Sequence, residues 1–133
     1  MDVTGRCHCG VIAYRGTADP EKVSICHCTD CQALTGSAYR VSVPVSAQSF
    51  KLLSGQPKVY IKTAESGTKR AHSFCPNCGT PVFASAIENP LTYTLRVGNL
   101  DQRASLPPRR RIWCKSTMPW SENIAGLPQT AKQ

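Results

Sequence analysis

Phe74-Cys75-Pro76-Asn77-Cys78-Gly79-Thr80-Pro81-Val82-Phe83 is the stretch whose reading decides the fold. Two cysteines separated by two residues suit either a redox dithiol or half of a metal site, and the residues that follow separate the two. A thioredoxin-type dithiol needs a helix after its second cysteine. Here Gly79-Thr80-Pro81 starts a helix poorly, whereas Pro81-Val82-Phe83 makes a fair opening to a strand. The motif therefore reads as a knuckle-like turn running into a strand, with Gly79 supplying the positive φ that often closes such a turn.

Outward from that turn the same grammar repeats. Short β-branched or alternating runs bounded by Gly, Pro, Ser and Asp predict strands over Gly10 to Arg15, Val23 to Cys26, Tyr39 to Val45, Phe50 to Leu53 and Lys58 to Lys62. They continue over Ala71 to Phe74, Pro81 to Ala84, Leu91 to Val97 and Arg111 to Lys115. The chain reads as all-β. One helical turn is predicted at Asp30 to Thr35, capped by Thr29 or Asp30 and stopped by Gly36. At 133 residues it is expected to be a single domain over residues 1–127 with a tail at 128–133. Metal would add materially to the stability of so small a core.

Seven of the eight cysteines fall into three groups: Cys7-x-Cys9, Cys26-x-Cys28-x-x-Cys31 and Cys75-x-x-Cys78. Thiolates so close in sequence bend toward one tetrahedral ion with little rearrangement, and thiolate sulfur selects zinc. Neighbouring-pair disulfides would be strained. An iron–sulfur site and plain reduced cysteines are the remaining readings. In an extended segment Cys7 and Cys9 point to one side while His8 points away, which makes half a site, and Cys75 with Cys78 makes the other half. Four thiolates close a site, so this one reads as structural zinc. Cys26, Cys28 and Cys31 are left as a second, three-ligand zinc site with an open position, the usual mark of a catalytic centre. Cys114 shares a face with Ile112 and is read as a buried core residue, although as a fourth ligand it would close the second site. His8 and His27, each between two cysteines, are read as outer or surface groups rather than ligands. His72 gives no functional signal, and Trp120 is read as a C-terminal core anchor before a role over a pocket.

Charge and targeting set further bounds. The formal net charge is +8, and seven metal-bound thiolates with two Zn²⁺ ions would bring it to about +5. The dense run Arg109-Arg110-Arg111 has no interleaved aromatics and reads as solvated surface, not as a nucleic-acid contact. Met1-Asp2-Val3-Thr4-Gly5-Arg6 lacks the apolar core of a secretion signal, and nothing in the sequence is long and apolar enough to span a membrane, so a cytoplasmic location is expected. A homo-oligomer through an exposed sheet edge is compatible with the sequence, which does not identify that edge.

Gly5-Arg6-Cys7-His8-Cys9-Gly10, Cys26-His27-Cys28-Thr29-Asp30-Cys31 with Gly36-Ser37, and Phe74-Cys75-Pro76-Asn77-Cys78-Gly79-Thr80 together resemble the signature of the glutathione-dependent formaldehyde-activating enzymes, whose domain is shared with centromere protein V. Phe50-Lys51-Leu52-Leu53-Ser54-Gly55, Tyr60, Ile112-Trp113, Met118-Pro119-Trp120 and Leu127-Pro128 are also similar to the family's pattern. The resemblance implies an all-β fold of several coiled antiparallel sheets, of the type named after a small zinc-binding exchange-factor-like protein. It implies the same division of metals, with Cys7, Cys9, Cys75 and Cys78 on structural zinc and Cys26, Cys28 and Cys31 on catalytic zinc. It also implies carbon–sulfur lyase chemistry, in which glutathione and formaldehyde join as S-hydroxymethylglutathione. Arg111 stands where many relatives have histidine, which is a departure. The alternative to an enzyme is a non-catalytic zinc module that binds a protein or nucleic acid, and another thiol or aldehyde is a third possibility.

Overall fold

Alternation of apolar and polar residues organises two sheets in the computed structural model, which describes residues 1–133. The strands are β1 (Asp2–Arg6), β2 (Ala13–Thr17), β3 (Ser24–Cys26), β4 (Arg40–Ser46), β5 (Lys51–Ser54), β6 (Lys58–Thr63), β7 (Lys69–Phe74), β8 (Pro81–Ala86), β9 (Thr92–Arg96) and β10 (Arg110–Ile112). A small sheet has the order β1-β2-β5, and a larger one has the order β10-β3-β4-β9-β8-β7-β6. Every pairing is antiparallel except β10 on β3, which is parallel. The architecture is mostly β with one short helix, α1 (Thr29–Thr35).

Residues paired across strands share a face, so the register sorts the large sheet into two surfaces. Val43 of β4, Leu95 of β9 and Phe83 of β8 lie opposite one another and face the small sheet. There they join Val3, Ile12, Tyr14 and Val45 in one buried cluster. Phe50 stacks on Tyr93 with ring centroids 4.2 Å apart, and Phe83 meets both rings edge-on. The other face is polar. Cys26 lies opposite Arg40, Ser42 opposite Arg96, and His72 between Ala84 and Tyr60. Pro44 lies inside β4 beyond Ser42, the last residue of that strand that β3 pairs.

Several expectations shift in the structure. Asp2–Arg6 is a strand that the sequence reading did not assign, pairing fully along β2. The strand expected from Gly10 begins only at Ala13, because residues 7–12 form a turn closed by Cys7 N–H donating to the Ile12 carbonyl at 3.0 Å. The last strand stops at Ile112, where Trp113 adopts a left-handed φ of 57° and turns the chain into a 3-10 turn at Cys114–Ser116. That break ends the alternation that would have buried Cys114, which is exposed. Trp120 is likewise 60% exposed rather than a core anchor, because its 3-10 turn, Pro119–Glu122, buries no residue. No helix is long and apolar enough to cross a membrane.

Candidate metal centres and the clefts beside them

Two hairpin turns present the first set of sulfurs. In the turn before β2, Gly10 N–H donates to the Cys7 carbonyl at 3.0 Å and Ile12 N–H points at Cys7 Sγ at 3.3 Å. In the turn before β8, Gly79 N–H donates to the Cys75 carbonyl at 2.8 Å and Cys78 N–H points at Cys75 Sγ at 3.5 Å. Each turn places a left-handed glycine after its second cysteine, with φ of 83° at Gly10 and 76° at Gly79, where a Cβ would be strained. His8 N–H donates to Thr80 Oγ1 at 3.1 Å and ties the two turns together.

The sulfur spacing tests the chemistry. Cys7 and Cys9 sulfurs are 3.6 Å apart, Cys9 and Cys75 sulfurs 3.7 Å, and all four, with Cys78, lie within 4.8 Å of one another. A tetrahedral ion with Zn–S near 2.3 Å sets its sulfurs roughly 3.8 Å apart, whereas a disulfide would need about 2.05 Å. The donor set fits a closed metal site. The Thr80 hydroxyl, the Thr80 amide and the Cys9 amide pull the Cys78 thiol down to about 5. The Asn77 side chain and the Val11 amide lower Cys9, while burial lifts Cys75 to about 11.

Cys26, Cys28 and Cys31 come from one continuous stretch, the end of β3 and the first turn of α1, and their sulfurs also lie within 4.8 Å of one another. Cys28, rather than Thr29 or Asp30, caps the helix, its Sγ accepting from Cys31 N–H at 3.3 Å. Gly36 ends the helix in the left-handed conformation. Gln32 Nε2 donates to the His27 and Ser116 carbonyls, both at 2.8 Å, and Lys62 pairs with Asp30 at 3.0 Å. These contacts pin the cysteine loop to β6 and to the C-terminal segment. A hydrogen bond with Cys31 pulls the Cys26 thiol down, and the same bond, with burial, pushes Cys31 up. Three thiolates this close together would repel one another, and a bound cation would offset that repulsion.

Neither intervening histidine joins a sulfur group. His8 is exposed. His27 is buried against Tyr39, and its Nε2 accepts from Arg111 Nε at 3.1 Å, while Arg111 also pairs with Glu122. Burial and the Arg111 charge lower the His27 pKa. Cys114 is outside both groups. Arg109 pairs with Glu21 at 3.3 Å, so two members of the arginine run are engaged by carboxylates.

Two spaces open along the polar face beside α1. One, of about 510 Å³, is lined by Cys28, Asp30, Lys62, Glu65, Trp113 and Lys115. The other, of about 350 Å³, is lined by Leu34, Arg40, Tyr60, His72, Pro81 and Arg96, among others. Lys62 and Tyr60, two residues apart on one face of β6, line one each. Sequence reasoning missed Arg40, His72 and Arg96. Their alternation marks a face away from the core, which reads as solvent, and α1 packs on β4 there instead.

Fold and site together define a small all-β protein with two cysteine clusters that could each hold a metal ion, one closed and one beside a cleft. Residues 2–116 match the sequence profile of the glutathione-dependent formaldehyde-activating enzymes, and the chain belongs to that family. The fold is similar to the crystal structure of a Rhodobacter sphaeroides protein, with a TM-score of 0.62 at 19% identity over 81% of this chain and 98% of that one.

Proposed function

We propose that this protein is a zinc-dependent carbon–sulfur lyase that joins a thiol such as glutathione to formaldehyde or a similar aldehyde, acting in the cytoplasm through the unit at residues 1–127. One observation carries the reading: three cysteine sulfurs group beside a cleft with no fourth member, in a family named for glutathione-dependent formaldehyde activation. Cys26, Cys28 and Cys31 would hold the catalytic zinc, and Cys7, Cys9, Cys75 and Cys78 the structural one. When bound, Zn²⁺ would keep a substrate thiol as thiolate at neutral pH, where a free thiol of pKa near 8.5 is mostly protonated. In the reaction the thiol sulfur forms a bond to the aldehyde carbon, the carbonyl π bond breaks toward oxygen, and the thiol's proton ends on that oxygen.

The chain's own groups account for the rest. Three thiolates bring a dication to a formal −1, which disfavours a hydrolytic hydroxide and favours an electron-rich substrate sulfur. Gln32 and Lys62 hold the cysteine loop in place, so the donors are positioned before substrate arrives. Lys62 and Lys115 beside Asp30 and Glu65 give the cleft charges of both signs, which suits a peptide bearing carboxylates and an ammonium. The non-catalytic alternative rests on Arg109 to Arg111, and predicts nucleic-acid binding that falls steeply with salt. The deciding assay follows formation of the hydroxymethyl thioether from ¹³C-formaldehyde and glutathione by NMR. The proposal expects acceleration over buffer that disappears in Cys31→Ala, and a rate equal to buffer for the zinc-loaded protein refutes it.

A further inference from the structure

Arg40 and Arg96 are the two buried cations of the molecule, 4% and 8% exposed. A buried guanidinium ordinarily has a carboxylate beside it, because an unpaired charge in a low-dielectric site is costly. Neither has one. All five ion pairs of the structure involve other residues, and Arg40 makes no side-chain hydrogen bond at all. Arg96 reaches only a ring nitrogen, His72 Nδ1, at 3.4 Å, and the Nε of both arginines is buried without a partner.

Both side chains open onto space. They line the cavity of about 350 Å³ described above, and with Pro81 they also line an adjoining one of about 360 Å³ that adds Thr35 and Asn99. No Asp or Glu lines either cavity. The pair sits where the cysteine loop begins, because Cys26 lies directly opposite Arg40 and Arg96 directly opposite Ser42 on the same face of the sheet. Three thiolates around a dication would leave one negative charge against two guanidiniums, so one positive charge stays unbalanced. Burial and the charges of Arg96 and Arg40 keep His72 neutral, at about 4, so it adds no third charge and can accept from Arg96.

We propose that the Arg40–Arg96 cavity is an anion subsite that receives a carboxylate of the thiol substrate, anchoring it while its sulfur reaches the three-cysteine site. The identity of the ligand rests on the thiol reading above; the presence of the subsite does not. A carboxylate is the size and shape that two converging guanidiniums grip, and charge-assisted hydrogen bonds to it would relieve both unpaired side chains. The adjoining cavities leave room for the amino-acid residue that carries it.

The test separates the two readings by using S-methylglutathione, which keeps both carboxylates but has no thiol to ligate. Calorimetric titration of the zinc-loaded protein should show it binding, its diethyl ester binding at least about tenfold more weakly, and Arg96→Gln losing about tenfold to a hundredfold in affinity. Arg96→Lys should restore part of the loss. Because Arg96→Gln could fail to fold, the ester comparison on the unaltered protein decides if that variant is lost. Equal affinity for acid and ester, or unchanged binding by Arg96→Gln, overturns the subsite. Inorganic phosphate that binds as tightly as S-methylglutathione and displaces it also overturns the assignment, since the site would then take any small anion. If S-methylglutathione behaves as expected while glutathione leaves the thiolate absorption of the cobalt-substituted protein unchanged, the subsite stands and the thiol-at-metal reading falls.

Discussion

The two cysteine clusters differ less in their ligands than in what holds them. The four-sulfur cluster is assembled from two hairpin turns far apart in sequence, each ordered by its own backbone hydrogen bonds and joined to the other only around the sulfurs, by contacts such as His8 N–H to Thr80 Oγ1 and Cys9 Sγ to Cys75 Sγ. The three-sulfur cluster comes from six consecutive residues already fixed by a strand, a helix cap, Gln32 and Lys62. Two of the four sulfurs in the first are buried among core side chains, whereas the second opens on a cleft. The contrast teaches that a cluster which stitches distant segments has stability to provide, while one that the fold already supports is free for chemistry.

The harshest way to break that contrast is to remove one ligand from each cluster. Cys78→Ala should abolish cooperative thermal unfolding, because the binding free energy of a structural zinc is comparable with the whole stability of a small domain. Cys31→Ala should keep a cooperative transition, with Tm lowered by less than about 8 °C, retain roughly one zinc per chain and drop to the uncatalysed rate. Equal unfolding by both variants, seen by circular dichroism, would remove the distinction.

A gentler probe loosens the support of the second cluster. Lys62→Met removes the ion pair to Asp30, whose lysine side chain is only 18% exposed. The account expects affinity of the three-cysteine site for metal to fall about threefold to tenfold, with the four-cysteine site unchanged; competition with a chromogenic chelator reads both.

The smallest effect is in pH dependence. His72 is held at about 4 in the folded protein, chiefly by burial and then by Arg96, against about 6.5 for an unperturbed histidine. The unfolded chain therefore takes up this proton first, so acid favours unfolding, and the penalty grows as pH falls from about 6.5 to about 4. His72→Gln should flatten the decline in stability across that window relative to the parent and leave stability at pH 8 nearly unchanged. Urea midpoints at pH 8, 6 and 4.5 check this.

Cysteine spacing made the grouping of sulfurs legible, because ligands one or two residues apart need only local geometry to converge. The strand content was legible too, since period-two runs and breakers are local signals. β1 was not, for Asp2–Arg6 carries one apolar residue, Val3, and owes its form to β2, with Gly5 so close against the Tyr14 ring that a Cβ there would lie 2.5 Å from it. Cys114 was misplaced because a single left-handed residue, Trp113, ends the strand early, and a tryptophan in that conformation has no sequence signature, whereas Trp120 sits on a separate 3-10 turn that buries no residue. Arg40, His72 and Arg96 stayed hidden because strand alternation distinguishes two faces without telling whether a helix covers the second.

The direct test of the division between clusters is metal content combined with X-ray absorption at the zinc edge, before and after glutathione. The account predicts two zincs per chain with an average of three and a half sulfur ligands, rising to four when the thiol binds. Two zincs already bound by four sulfurs each, unchanged by glutathione, would contradict it.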